Sequence, residues 1–110
     1  MAGKYDFIIE QGATFGLMLT WKDESDTPID LTGYTARLKA MCGEQEVLSL
    51  TNGESIALGG AEGTIQLSLS AERTAALAFN SATYDLELVQ GEYVKRLLQG
   101  VVVLSPEYTT

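Results

Sequence analysis

Thr64-Ile65-Gln66-Leu67-Ser68-Leu69 alternates polar and apolar residues without a break. Side chains along a strand point to opposite faces with a period of two, so this segment reads as a strand with one face in a core and the other in water. The same period recurs on both sides of it. Tyr5, Phe7 and Ile9 alternate with Asp6 and Glu10 and mark a first strand ending at Gln11-Gly12. Phe15, Leu17, Leu19 and Trp21 mark one face of a second strand, opposite Gly16, Met18 and Thr20. In a third strand over residues 34–41, Ala36, Leu38 and Ala40 point one way and Arg37 and Lys39 the other. Short segments over residues 46–50 and 55–58 are separated by Asn52-Gly53, a tight-turn dipeptide, and Gly59-Gly60-Ala61-Glu62-Gly63 supplies another turn. Connections this short join antiparallel neighbours.

One segment breaks the period. Residues 71–79 are rich in helix formers and follow Ser70, whose side-chain oxygen can accept a free amide of the first turn. The expectation is about two turns of helix crossing one end of the sheet, held by packing because so short a helix is marginal alone.

The last hairpin raises two questions. Tyr84, Leu86 and Leu88 share a face, and Val94, Leu98, Val102 and Leu104 share a parity after Gln90-Gly91-Glu92. A three-residue loop with Gly91 left-handed brings the two apolar rows together and sets Asp85 or Glu87 across from Lys95. That register leaves Arg96 on the core side. Either its stem lies on apolar surface or a bulge turns it outward, or it meets a carboxylate of a neighbouring subunit. The unbroken run Val101-Val102-Val103-Leu104 implies burial on both strand faces, with the short helix or another subunit as cover. Gly100, just before it, marks a bulge or a close backbone approach.

A chain of 110 residues, 45% of them hydrophobic, is the size of one domain with one core, here a sandwich domain over residues 1–110. Seven basic against fifteen acidic residues give a net charge of −8, which disfavours phosphate backbones and argues against a nucleic-acid partner. There is no histidine, which removes the usual Ser-His and Cys-His relays and zinc sets. The single cysteine, Cys42, excludes an internal disulfide, and with Glu44 and Glu46 beside it reads as an incidental thiol. No window approaches the roughly 18 apolar residues that cross a bilayer, and Asp6 and Glu10 interrupt any signal core, so the chain reads as made and kept in the cytoplasm, with no membrane partner.

Candidate chemistry is thin. Asp23, Glu24, Asp26 and Asp30 sit in a wet loop and lack the glycine and distal glutamate of an EF-hand. The glycines at 59, 60 and 63 lack the Lys-Ser/Thr of a phosphate cradle. Ser70 and Ser105 have no base. The reading is therefore no enzyme, no cofactor, no metal and no catalytic residue. Trp21 beside the Asp23–Asp26 loop is the one candidate for an alternative function, a carbohydrate- or receptor-binding module.

Three stretches carry a family resemblance. Pro28-Ile29-Asp30-Leu31-Thr32-Gly33-Tyr34 resembles the P-x-D-L-T-G segment of small β-sandwich proteins of tailed-phage virions, among them the N-terminal domain of baseplate upper proteins. Leu69-Ser70-Ala71-Glu72-Arg73-Thr74-Ala75-Ala76-Leu77, and Tyr84-Asp85-Leu86-Glu87-Leu88 with Arg96-Leu97-Leu98-Gln99-Gly100-Val101-Val102-Val103, resemble the later part of such proteins. Small members often end S-P-E-V-T; here Ser105-Pro106-Glu107 is followed by Tyr108 in place of Val. The resemblance spans residues 5–108. It implies an immunoglobulin-like antiparallel β-sandwich of about seven strands, used as a virion building block in a baseplate, a tail fibre attachment or a head–tail connection. Its partners would be other virion proteins and further copies of itself, and it offers no catalytic residues. The candidate partner-contact residues are Tyr5, Arg96, Val101, Val103 and Tyr108.

Overall fold

The computed structural model describes residues 3–106. They form nine strands: β1 (Gly3–Lys4), β2 (Phe7–Glu10), β3 (Phe15–Thr20), β4 (Thr35–Cys42), β5 (Gln45–Thr51), β6 (Ile56–Leu58), β7 (Thr64–Leu69), β8 (Ser81–Gln90) and β9 (Tyr93–Ser105). One helix, α1 (Ala71–Ala75), and a 3₁₀ turn at Gly60–Glu62 complete them. A six-stranded sheet runs β1-β9-β8-β4-β5 with β2 also on β9, and a three-stranded sheet runs β3-β7-β6. The alternation read from the sequence is the wall between them. Leu38, Leu50, Leu86, Leu88 and Val102 of the larger sheet are buried with Ile56, Ile65 and Leu67 of the smaller one. The molecule is thus an all-β, two-layer sandwich, as the period of two predicts.

Several expectations need correction. The sheet is not wholly antiparallel: β1 and β2 lie parallel to β9, with Gly3 against Leu98 and Phe7 against Val102. The first predicted strand, from Tyr5, is shortened to β2, and a two-residue strand, β1, precedes it across a break at Tyr5 and Asp6, so the strand count exceeds seven. The helix ends at Ala75 rather than Phe79. Ser70 does cap it, accepting from the Arg73 amide at 3.2 Å. Beyond Ala76 the backbone is committed to tertiary bonds, Leu77 accepting from the Gln11 side chain at 3.0 Å and Asn80 from the Leu104 amide at 2.9 Å, so the helix cannot continue. Buried Thr74 fastens the helix to the β2–β3 turn, donating to the Ala13 carbonyl at 2.8 Å and accepting from the Gly12 amide at 3.0 Å. The helix does lead from the smaller sheet to the larger, but it does not cover the outer side of Val103, which is 40% exposed.

The hairpin of β8 and β9 turns through two residues, Gly91 and Glu92, with Gln90 opposite Tyr93 and Gly91 left-handed at φ 61°. Carried through, this register would turn the core row of β9 outward. A bulge restores it: Glu87 faces Arg96 and Leu86 faces Leu98, so Leu97 is the extra residue. Leu98, Val102 and Leu104 therefore lie on the core side as predicted. Val94 and Arg96, ahead of the bulge, are turned out, Val94 against its expected core parity and Arg96 in line with the bulge expected as one explanation of it. Lys95 lies opposite Leu88 rather than Asp85 or Glu87, and sits above the Trp21 ring at 5.7 Å.

Candidate interaction surface

The outer face of the larger sheet is built by the residues that alternate with the core. At the hairpin end these are charged and pair within the chain. Arg37 Nε meets Glu87 Oε1 at 2.7 Å and Arg96 Nε approaches Asp85 Oδ2 at 3.7 Å; farther along the sheet Lys39 Nζ approaches Glu46 Oε1 at 3.6 Å, with Glu46 beside Met41 in the cross-strand row of Thr83 and Val101. Arg96 thus takes the bulge-and-rim reading, and its carboxylate belongs to its own chain. At the other end the outer face is apolar where β9 meets β2. Val103 lies between Ile8 of β2 and Ser81 of β8, and half-buried Val101 lies two residues before it, opposite Thr83. Ile8 is 61% exposed, the most open of the large apolar side chains among the described residues.

A backbone device fixes that apolar end. A side chain at Gly100 would collide with the Tyr5 carbonyl oxygen and press on the Asp6 carboxylate. Of the two readings of Gly100, a bulge or a close approach, the close approach holds, and its partner is the break between β1 and β2. There the Asp6 carboxylate accepts the Val101 amide at 2.8 Å, standing in for a missing strand carbonyl. Tyr84, cross-strand from Gly100, donates its hydroxyl to the Tyr5 carbonyl. Its ring packs edge-on against Phe7 at 5.0 Å. Burial, then the nearby Asp6 carboxylate, push the Tyr84 phenol from 10.0 up to about 12.

Of the predicted contact residues, Arg96, Val101 and Val103 share the outer face, with Arg96 at its charged end and the valines at its apolar end. Tyr5 does not join them. It lies at the mouth between the two layers, 40% exposed, its ring stacked near Phe7 at 6.5 Å. Tyr108 falls outside the described residues. Ile8 was missed, although Phe7-Ile8-Ile9 breaks the alternation at that point.

The loops are explained by their own bonds. Asp23 accepts the Ser25 and Thr27 amides at 2.8 and 3.0 Å. Asp30 accepts the Thr32 hydroxyl at 2.6 Å and amide at 2.9 Å, which hold its pKa below the ordinary carboxylate value. Leu31 is buried and Gly33 left-handed, as the turn requires. Among the described residues no three acidic or thiol groups cluster as a metal site. A cavity of about 500 Å³ lies between residues 31–34 and 52–58; its one carboxylate, Glu54, is held by Arg73 at 3.1 Å. A smaller apolar cavity of about 240 Å³ opens between the layers beside Tyr5, Trp21, Leu97 and Leu98.

No protein-family model and no curated protein matches the chain. Solved structures do. A structure from photo-crosslinking work on the multimeric cell-adhesive interactions of VGSC beta subunits matches over 96% of this chain and 93% of its own, with a TM-score of 0.50 and 11% identity. That likeness makes the sandwich immunoglobulin-like. At such identity it speaks for the fold alone, and one fold carries many functions.

Proposed function

We propose that the chain is a structural building block of a tailed-bacteriophage virion, in the baseplate, at a tail fibre attachment or at the head–tail connection. It acts by assembly with other virion proteins and with copies of itself, and performs no reaction. It is made in the host cytoplasm and resides in the particle. The observation that carries this reading is the strip of Ile8, Val101 and Val103. β9 is paired on both sides there, and its inner residues Val102 and Leu104 already complete the core. The strand has no need of its own for apolar outward residues, so the strip serves contact with another surface. The sequence resemblance to small virion sandwich proteins supplies the setting. The excess of negative charge argues against a nucleic-acid partner, and no helix among the described residues is long and apolar enough to cross a membrane.

Incorporation tests it. Particles assembled with the Val103→Asp chain in place of the parent should lack the protein, while the isolated variant keeps its melting temperature, because residue 103 is open in the free chain. Full incorporation of the variant would refute the proposed face, and absence of the parent chain from particles would refute the virion role. A carbohydrate- or receptor-binding module has less support, since the Trp21 ring is partly buried and Lys95 stands over it. Glycan binding lost on Trp21→Ala without loss of folding would favour it.

A further inference from the structure

β3 is an edge strand whose backbone groups on one side have no partner among the described residues. The Trp21 amide donates to Gly63 at 2.8 Å, one step beyond the Thr20–Thr64 pair, so the odd-numbered residues of β3 exchange hydrogen bonds with β7. The even ones, Gly16, Met18 and Thr20, aim their amides and carbonyls away from the sheet. Bare strand edges template pairing with another chain, and proteins guard them with charge, bulges or brevity. The other edges here are so guarded. β1 and β2 carry Lys4 and Glu10, β5 carries Glu46 and lies beside a bulge at Ala40/Met41, and β6 is three residues long. β3 has six residues, no charge and no proline, and Met18 on it is 55% exposed. Space lies open along it, with a cavity of about 430 Å³ beside Phe15, Gly16 and Leu17 and the one of about 240 Å³ beside Leu19, Thr20 and Trp21.

We propose that this edge receives the β3 edge of a second copy, antiparallel about a two-fold axis at Met18, which merges two three-stranded sheets into one of six strands. The phase is self-complementary: Met18 faces its own equivalent, Gly16 faces Thr20 of the partner subunit, and all three are the residues whose backbone groups are free. Charge favours the same direction. The Phe15 end of the groove is walled by Asp6 and Glu10 and the Trp21 end by Lys4. An antiparallel pair sets the acidic end of one copy against the cationic end of the other, whereas a parallel pair sets like against like. The inference is independent of the virion reading, because it concerns the isolated chain.

Sedimentation equilibrium of the purified chain across a concentration series tests it. The parent is expected at twice its chain mass. Met18→Pro removes a donor that the monomer leaves unused, a change tolerated on an edge strand, and should give the monomer. Met18→Lys and Met18→Glu, both at an exposed position, should each be monomeric with the parent's circular dichroism. Mixed in equal amounts, they should regain the dimer by opposing unlike charges at the axis. A parent that stays monomeric, a dimer that survives all three substitutions, or a Lys–Glu mixture that stays monomeric overturns the proposal.

Discussion

The two halves of β9 belong to one strand and behave differently. From Tyr93 to Arg96 it is paired with β8 alone, it runs in the register set by a two-residue turn, and its side chains settle on their own chain, Lys95 over Trp21 and Arg96 beside Asp85. From Leu98 to Val103 it lies between β8 and the parallel pair β1–β2, and its inner residues complete the core. Val94 and Val103 are open to similar degrees, 48% and 40%. One stands beside a hairpin tip; the other stands with Ile8 and Val101 on a doubly paired platform. A single exposed valine is ordinary surface, whereas Val103 joined to Ile8 and half-buried Val101 on such a platform makes the strip on which the proposed contact rests.

The difference can be broken most severely at Gly100. Gly100→Val drives a side chain into the Tyr5 carbonyl and should cost about 3 kcal/mol, within the usual range for overpacking, as read from denaturant midpoints. It should release β1–β2 from β9 while leaving the hairpin end intact. Tyr84→Phe removes one hydrogen bond at the same junction and should cost about 1 kcal/mol. It also sharpens the comparison through pH. The folded phenol is raised to about 12 against an ordinary 10.0, so its contribution is whole below pH 10 and lost as pH rises through 12. The parent's melting temperature should therefore fall over that window more steeply than that of the Phe variant. The smallest effect belongs to the hairpin half. Arg96→Ala breaks a loose, half-exposed ion pair and should cost under about 0.5 kcal/mol in the same denaturant assay.

Most of the fold was legible in the sequence because each sheet has one wet face, which prints the period of two into residues such as 64–69. What was hidden lies where backbone geometry overrides that pattern. Leu97-Leu98, an apolar doublet in an alternating strand, is the sequence trace of the bulge. Turn length cannot be read from it, so parity alone puts Val94 on the core side, whereas Arg96 is turned outward by the bulge that its anomalous place in the pattern suggests. The parallel pairing of β1 and β2 was hidden too, since it joins the start of the chain to its last strand and no local signal records it. Gly100 reads from sequence as either a bulge or a close approach, and its partners, Tyr5 and Asp6, lie 94 or more residues away in the chain, as the 95-residue gap of the Asp6–Val101 bond makes plain. Of the candidate surface, Val101 and Val103 were found from their apolar run, whereas Ile8 and the bare edge of β3 emerge only when the sheets are assembled.

Residue-resolved carbene footprinting of the free chain and of assembled particles tests the central claim most directly, because Val94 and Val103 serve as matched probes on one strand. The account predicts that both are labelled in the free chain, and that Val103 and Ile8 lose their label in the particle while Val94 keeps it. Equal labelling of Val103 in both states, or protection of Val94 in its place, would contradict it.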